Sequence, residues 1–261
     1  MSAVQNLKVA LLQTELHWES PEENLRMVEQ KMETLPEDLD LVVLPEMFAS
    51  GFTMNPSAVA ENNDGPTMSG LSRLSKEKAL AICGSFVAKD EGNYYNRFFW
   101  IQEGELKSTY DKRHLFRMAE ENNVYSAGKE DVRINFKGWN IMPRVCYDLR
   151  FPVWSRSNDV DLQIYVANWP APRVAAWDKL LLARAIENQC YIIGVNRVGE
   201  DGNEVPYCGH SIVADAKGEA MTEVANERAE WIFATLDLES LNDFREKFPV
   251  RLDADQFKIL P

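Results

Sequence analysis

The chain has 261 residues, 45% of them hydrophobic and 26% charged, with a formal net charge of -13; these values lie in the globular range and exclude disordered and fibrous classes. No stretch approaches the roughly 20 uninterrupted apolar residues of a membrane helix, and the start MSAVQNLKVALLQ lacks the basic-then-apolar layout of a secretory signal, so the expected location is the cytoplasm with no membrane partner. The negative charge repels polyanions and Lys and Arg gather in no basic run, which argues against nucleic acid.

In chain order, the apolar run KVALL is strand-sized, and Ser20-Pro21-Glu22-Glu23 then offers an N-cap, a first-turn proline and a capping-box glutamate. Leu25, Val28, Met32 and Leu35 line one face of the helix this predicts. LVVLP is a second strand, and a weaker helical period runs from Met68 to Leu80. LAICGSFVA and RFFWIQ flank the turn signal Glu91-Gly92-Asn93, and Lys137-Gly138 precedes WNIMPRVC. After LQIYVANW, a helix beyond Pro172 places Val174, Trp177, Leu180, Leu181 and Ala185 at 3.6-residue spacing. CYIIGVN, SIVADA and EWIFATL complete the strands, with turns at Asp201-Gly202-Asn203 and Lys217-Gly218. From Phe244 to Pro261 charged and apolar residues alternate without a helix signal, which predicts an extended tail.

Helices alternating with buried strands imply a layered α/β protein, and no linker or composition break divides residues 1–261, so one domain is expected. Two sheets packed face to face under outer helices fit the pattern; periodicity alone does not choose them over one doubly wound sheet. Cys83, Cys146, Cys190 and Cys208 stand singly, with no CxxC pair, and are read as free thiols. Cys83 and Cys190 lie in apolar runs as packing residues, and Cys208 is expected to be an exposed bystander.

Three residues invite a chemical reading. Cys146 ends an apolar run and is followed by Tyr-Asp-Leu-Arg-Phe-Pro, so a strand delivers a thiol to a bend where backbone N–H groups face a reacting carbonyl. A lone strand-end cysteine is more often a small buried hydrophobe. Glu46, in LVVLPEMFASGF, sets a carboxylate directly after an apolar strand; half-burial there raises its expected pKa and suits it to take and return a proton. Lys112, in STYDKRHLF, offers positive charge to a developing oxyanion, although an ordinary solvated lysine is the blander reading. None of the three is persuasive alone.

Together, Glu in LPE, Lys in YDKRHLF and Cys in CYDLRFP, in that order, resemble the catalytic triad of the nitrilase superfamily, the carbon-nitrogen hydrolases. LPEMFASGF, YDKRHLFRMA, VCYDLRFPVWSR, YVANWPAPR, ARAIENQCYIIGVNRVGEDGN and REKFPVRLDAD look like its omega-amidase branch, which hydrolyses the terminal amide of 2-oxo acids such as 2-oxoglutaramate and 2-oxosuccinamate. The resemblance implies a four-layer α-β-β-α sandwich, a homodimer or larger homo-oligomer with the tail from Phe244 to Pro261 packed across a subunit interface, a small amide substrate, and no metal or organic cofactor. It assigns Cys146 as nucleophile, Glu46 as general base and acid, and Lys112 with the Tyr147 backbone N–H as oxyanion donors. Where the family has Gly-Glu-His after the lysine motif this chain has Glu120-Glu121-Asn122, so Glu121 takes the orienting role by position.

For the carboxylate of a 2-oxo acid, Arg173 is the first candidate, with Arg144 and Arg150 behind it. Trp169, Phe52 and Phe116 are candidate pocket walls. Three alternatives stay open: another superfamily amidase (an N-carbamoyl amino acid hydrolase, a nitrilase proper or an aliphatic amidase), a Cys-His hydrolase using His114 or His210, and a non-catalytic scaffold.

Overall fold

Every central strand is covered on both faces, which is why the sequence carries continuous apolar runs instead of polar-apolar alternation. The computed structural model describes residues 6–224 and 226–259. Its first half runs β1 (Leu7–Gln13), α1 (Pro21–Met32), β2 (Leu41–Val43), α2 (Pro56–Val59), α3 (Pro66–Lys78), β3 (Ala81–Asp90), β4 (Asn93–Gln102) and β5 (Glu105–Asp111). There follow α4 (Glu121–Val124), β6 (Ile134–Phe136), β7 (Trp139–Val145), α5 (Pro152–Ser155), β8 (Leu162–Val166), α6 (Val174–Asn188) and β9 (Tyr191–Val195). The chain closes with β10 (Val198–Glu200), β11 (Pro206–Cys208), β12 (Ile212–Ala214), β13 (Glu230–Leu236) and α7 (Leu238–Lys247).

A six-stranded sheet has the order β13-β1-β2-β3-β4-β5 and a five-stranded sheet the order β12-β9-β8-β7-β6. Their inner faces share one core: Val9, Leu11, Val43, Phe98 and Trp100 from the first meet Ile141, Val145, Ile164, Val166 and Ile193 from the second. The alternate residues face outward. Ala10, Leu12, Val42 and Ile82 pack on Val28 and Met32 of α1 and Met68, Leu71 and Leu74 of α3. Tyr165 and Ile192 pack on Trp177, Leu181 and Ala185 of α6. The result is the four-layer α-β-β-α sandwich, the choice that periodicity left open. Gly194 permits the last of these layers, because a β-carbon there would sit 2.5 Å from Leu181. Pro143 is tolerated within β7 because β6 pairs only as far as Ile141, so no partner lies beside the missing N–H on that edge.

Strand direction places the chemistry. β1, β2 and β3 are parallel, β4 and β5 each reverse, and β7, β8 and β9 are parallel. The segments after β2, β5, β7, β8 and β9 therefore issue from carboxyl ends, where α/β sheets gather their ligands.

Three sequence expectations need correction. Ser20 precedes α1 but its side chain makes no cap; instead its backbone carbonyl accepts the Asn24 N–H at 3.0 Å, and Asn24 Oδ1 caps the preceding loop by accepting His17 N–H at 2.8 Å. Cys208 is not exposed, because β11 pairs with β10 and leaves it 7% accessible. The tail is not extended throughout: Phe244 to Lys247 belong to α7, and 3-10 helix follows over Val250–Asp253. Arg245 and Arg251 tie this part to its own chain, with Arg245 Nη1 2.6 Å from Asp161 and Arg251 Nη2 2.8 Å from both Val160 O and Asn188 O. Residues 260 and 261 of the predicted tail lie outside the described residues. Among the described residues no helix is long and apolar enough to cross a membrane.

Candidate active site

Glu46, three residues past β2, is fully buried, and both its carboxylate oxygens and its carbonyl accept hydrogen bonds. Its Oε1 accepts from Lys112 Nζ at 2.9 Å and from Asn96 Nδ2 at 2.7 Å, while Oε2 accepts the Asn168 backbone N–H at 2.7 Å. Its own carbonyl accepts from Asn168 Nδ2 at 2.6 Å, so a residue at the end of β8 fixes a residue at the end of β2 and the two sheets are locked at the site. Lys112, directly after β5, sits between two carboxylates: Nζ is also 3.0 Å from both oxygens of Glu121. Glu121 accepts the Phe116 N–H at 2.6 Å, which folds the segment after Lys112 back over it. Glu120, in the place of the family glycine, adopts φ +59, a left-handed conformation that costs a side-chain-bearing residue roughly 1 kcal/mol.

Cys146 begins a 3-10 turn, Cys146–Arg150, with φ +44. Such a start leaves the Cys146 and Tyr147 N–H groups without intrahelical acceptors. Asp148 fixes the turn. Its Oδ2 accepts Val145 N–H at 3.0 Å and Tyr110 O–H at 2.7 Å, and its Oδ1 accepts the His114 N–H at 3.1 Å and lies 2.7 Å from His114 Nδ1. The turn that begins at Cys146 and the segment that follows Lys112 are thus joined through one buried carboxylate. Burial works to raise the Asp148 pKa, but the bonds from His114 and Tyr110 and the Arg144 charge hold it below the usual range.

These groups open on a cavity of about 560 Å³ whose lining includes Cys146, Lys112, Asn168 and Tyr147. Phe52, Phe116, Trp169, Arg150 and Arg173 line it too. The Lys112 ammonium lies 5.1 Å from the Phe52 ring centre, the Arg173 guanidinium 5.3 Å from that of Phe116, and the Arg150 guanidinium 5.0 Å from that of Trp169.

Residues 8–246 match the model of the carbon-nitrogen hydrolase family. The chain belongs to that family. It is 45% identical over 254 residues to the protein named Omega-amidase YafV of Escherichia coli K12, covering 97% of this chain and 98% of that one. It is 31% identical to the 2-oxoglutaramate amidase of Bacillus subtilis, covering 93% and 95% of the two chains. Among solved structures it is similar to XC1258 of Xanthomonas campestris, a CN-hydrolase superfamily protein with an arsenic adduct in its active site. There the TM-score is 0.95, the identity 40%, and the coverage 98% and 99%. As a carbon-nitrogen hydrolase the protein is an enzyme acting on amide carbon-nitrogen bonds.

The electrostatics suit acyl transfer by a thiol that starts neutral. Burial is the main force pushing the Cys146 pKa well above its ordinary value; the Glu46 carboxylate adds to the shift and the Lys112 ammonium opposes it. Burial would discharge Lys112, yet Glu121 and Glu46 overcome it and hold the ammonium well above its usual range. Burial and the nearby Glu46 charge raise Glu121, with Lys112 pulling the other way.

Of the residues picked from sequence, Glu46, Lys112, Cys146 and Glu121 converge, and Tyr147, Phe52, Phe116, Trp169, Arg150 and Arg173 border the same cavity. Arg144 does not. It is fully buried beneath the Cys146 turn, with Nη2 2.8 Å from Asp131 and 2.6 Å from Trp154 O and Nη1 2.9 Å from Pro143 O, so its charge is already committed within the fold. The histidines also stand aside: His114 stacks on Phe151 at 3.8 Å beside Asp148, and His210 Nδ1 lies 3.0 Å from Asp178. A Cys-His hydrolase reading does not hold, because neither His114 nor His210 borders the cavity that Cys146 lines, and each has its Nδ1 against an aspartate.

Sequence reasoning passed over Asn96, Asn168 and Asn196. Asn196 supports Asn168 indirectly, accepting Trp169 N–H at 2.7 Å on Oδ1 and donating to Trp169 O at 2.9 Å and Gly209 O at 2.7 Å. The missed signal is that each is an asparagine in or directly after an apolar strand, in YYNRFFW, VANWP and GVNRV, where a polar side chain must find partners.

Proposed function

We propose that the protein hydrolyses the terminal amide of short 2-oxo acids, 2-oxoglutaramate and 2-oxosuccinamate, releasing ammonia and the 2-oxo dicarboxylate. The observation that carries this reading is the pair Arg150 and Arg173. Both guanidinium groups border the cavity that holds Cys146, and each rests on an aromatic ring with no carboxylate partner among the described residues. A cation left unpaired beside a reactive thiol suits a substrate carrying an anion at the end remote from its amide. The curated relatives named omega-amidase and 2-oxoglutaramate amidase support the same choice.

In this reading Glu46 takes the Cys146 proton as the sulfur attacks the amide carbon. Lys112 Nζ and the Tyr147 N–H receive the developing oxyanion. Glu46 returns the proton to nitrogen, the carbon-nitrogen bond breaks, and ammonia leaves a thioester on Cys146. Water, deprotonated by Glu46, then cleaves the thioester. Glu121 touches no reacting atom; by binding Lys112 through both oxygens it aims the ammonium at the oxyanion.

Ammonia release compared across 2-oxoglutaramate, an N-carbamoyl amino acid, a nitrile and a simple aliphatic amide tests the substrate class, and 2-oxoglutaramate is expected to have the highest kcat/KM. Losing a charge-assisted hydrogen-bond pair costs about 1.5–3 kcal/mol, so Arg173→Ala is expected to raise KM for 2-oxoglutaramate by roughly 10- to 100-fold. An aliphatic amide without a carboxylate should show no such change, and an unchanged KM for 2-oxoglutaramate would exclude a clamp at Arg173.

A further inference from the structure

The two oxygens of Glu46 are not equivalent. Oε1 already accepts two donors, Lys112 Nζ at 2.9 Å and Asn96 Nδ2 at 2.7 Å, which fill its two lone-pair directions. Among the described residues Oε2 accepts only the Asn168 N–H, at 2.7 Å, which leaves one direction free. Asn96 cannot turn its amide over without loss. Its Oδ1 accepts the Ser85 hydroxyl at 2.9 Å, and Ser85 Oγ in turn accepts the Met47 N–H at 2.9 Å. A flipped amide would present oxygen to the Glu46 carboxylate. The second amide proton reaches Glu121 Oε1 at 3.3 Å, so a neutral NH2 group bridges two carboxylates without adding charge. Asn96, Ser85, Glu46 and Glu121 are all inaccessible to solvent, where an unmade hydrogen bond is most costly. The backbone carbonyl of Asn96 also accepts the Lys112 N–H at 3.0 Å, fixing the lysine's main chain from the same residue.

We propose that Asn96 is a positioning residue which, together with Lys112, occupies Oε1 of Glu46 and thereby makes Oε2 the oxygen that carries the proton between Cys146 and the departing nitrogen. The inference rests on Glu46 being the general base. In the forward step the Sγ–H bond breaks, its proton moves to Oε2, and sulfur forms the bond to the amide carbon. On collapse the carbon-nitrogen bond breaks and the Oε2 proton passes to the leaving nitrogen. While Oε2 is protonated, Oε1 has carbonyl character and still accepts both donors, so the buried network survives the cycle unchanged.

Two replacements of similar size test this, assayed by ammonia release with whichever amide of the panel is turned over fastest, so that the outcome does not depend on the substrate's identity. Asn96→Leu removes both donors; in a folded sample kcat is expected to fall about 100-fold with KM within about threefold of the parent value, the range of lost acid-base assistance. Asn96→Asp keeps the shape and sets a third carboxyl among Glu46 and Glu121, with Lys112, Cys146 and the Tyr125 hydroxyl the other ionisable groups nearby. Crowded carboxylates retain a proton to higher pH. A protonated newcomer donates to Oε1 and supports turnover; once ionised it cannot. The kcat profile is therefore expected to begin its alkaline descent at a lower pH than the parent's, whose own descent follows the Cys146 thiol.

A folded Asn96→Leu enzyme with kcat within about threefold of the parent would overturn the proposal, as would an Asn96→Asp profile that descends at the same pH as the parent's. Glu46→Gln separates the layers. If it retains full turnover, the base assignment falls and this inference with it; if it is inactive while both Asn96 variants behave as the parent, this inference alone falls.

Discussion

Cys146→Ala is expected to abolish ammonia release from 2-oxoglutaramate, by about 10⁴-fold or more, the scale on which removal of a covalent nucleophile is felt. The fold should not change with it. The unusual backbone of this residue, φ +44 at the first position of a 3-10 turn, is held by Asp148 through the Val145 and His114 N–H groups, and alanine keeps the same β-carbon. An unchanged thermal midpoint beside lost turnover separates chemistry from stability. The parent thiol should also show its environment directly. Burial and Glu46 hold its pKa well above the ordinary value, so the thiol form prevails at neutral pH, and alkylation of Cys146 by iodoacetamide should accelerate as pH rises through the alkaline range. A rate that is maximal at neutrality and flat above it would contradict that environment.

Lys112→Met should damage both rate and stability, for different reasons. One oxyanion donor is typically worth about 3 kcal/mol, so kcat is expected to fall 10²- to 10³-fold from that loss alone. Two fully buried carboxylates, Glu46 and Glu121, then face each other without a cation. Breaking a buried ion pair costs about 3–5 kcal/mol, a fall that denaturant unfolding would register. The crowded pair would also hold a proton at neutral pH and take the base out of action, deepening the kinetic defect. Adding Glu121→Gln removes one of the two charges, so the double variant should regain most of the lost stability and little of the lost kcat. Equal recovery of both would mean that Lys112 acts only by neutralising its neighbours, with no direct part at the oxyanion.

How far the sequence reached depended on whether the decisive contact was local. The strand runs were legible because burial on both faces leaves them apolar throughout, and the αL turns at Glu91-Gly92 and Lys137-Gly138, with φ +46, +83, +50 and +86, announce their hairpins. The pairing of two sheets was not legible. Val9 lies in the core between the sheets while Ala10 lies in the layer with Val28 and Met32 of α1, and an unbroken apolar run does not say which side is which. At the site, Glu46, Lys112 and Cys146 stood out through motif resemblance, and each lies at the carboxyl end of a strand as its position suggested. Nearness in sequence misleads at Arg144. It sits two residues from Cys146 in a strand, on a register that points it into the layer beneath the turn toward Tyr110 and Trp154. The asparagines that grip Glu46 escaped notice because their partners lie 50 and 122 residues away in the chain.

The thioester on Cys146 is the step on which this account turns. Rapid acid quenching during turnover of 2-oxoglutaramate, followed by mass measurement of the intact chain and its peptides, should reveal an adduct equal to the substrate less ammonia on the peptide containing Cys146. Turnover with the chain mass unaltered at every quench time, or the adduct on Cys83, Cys190 or Cys208, would contradict it.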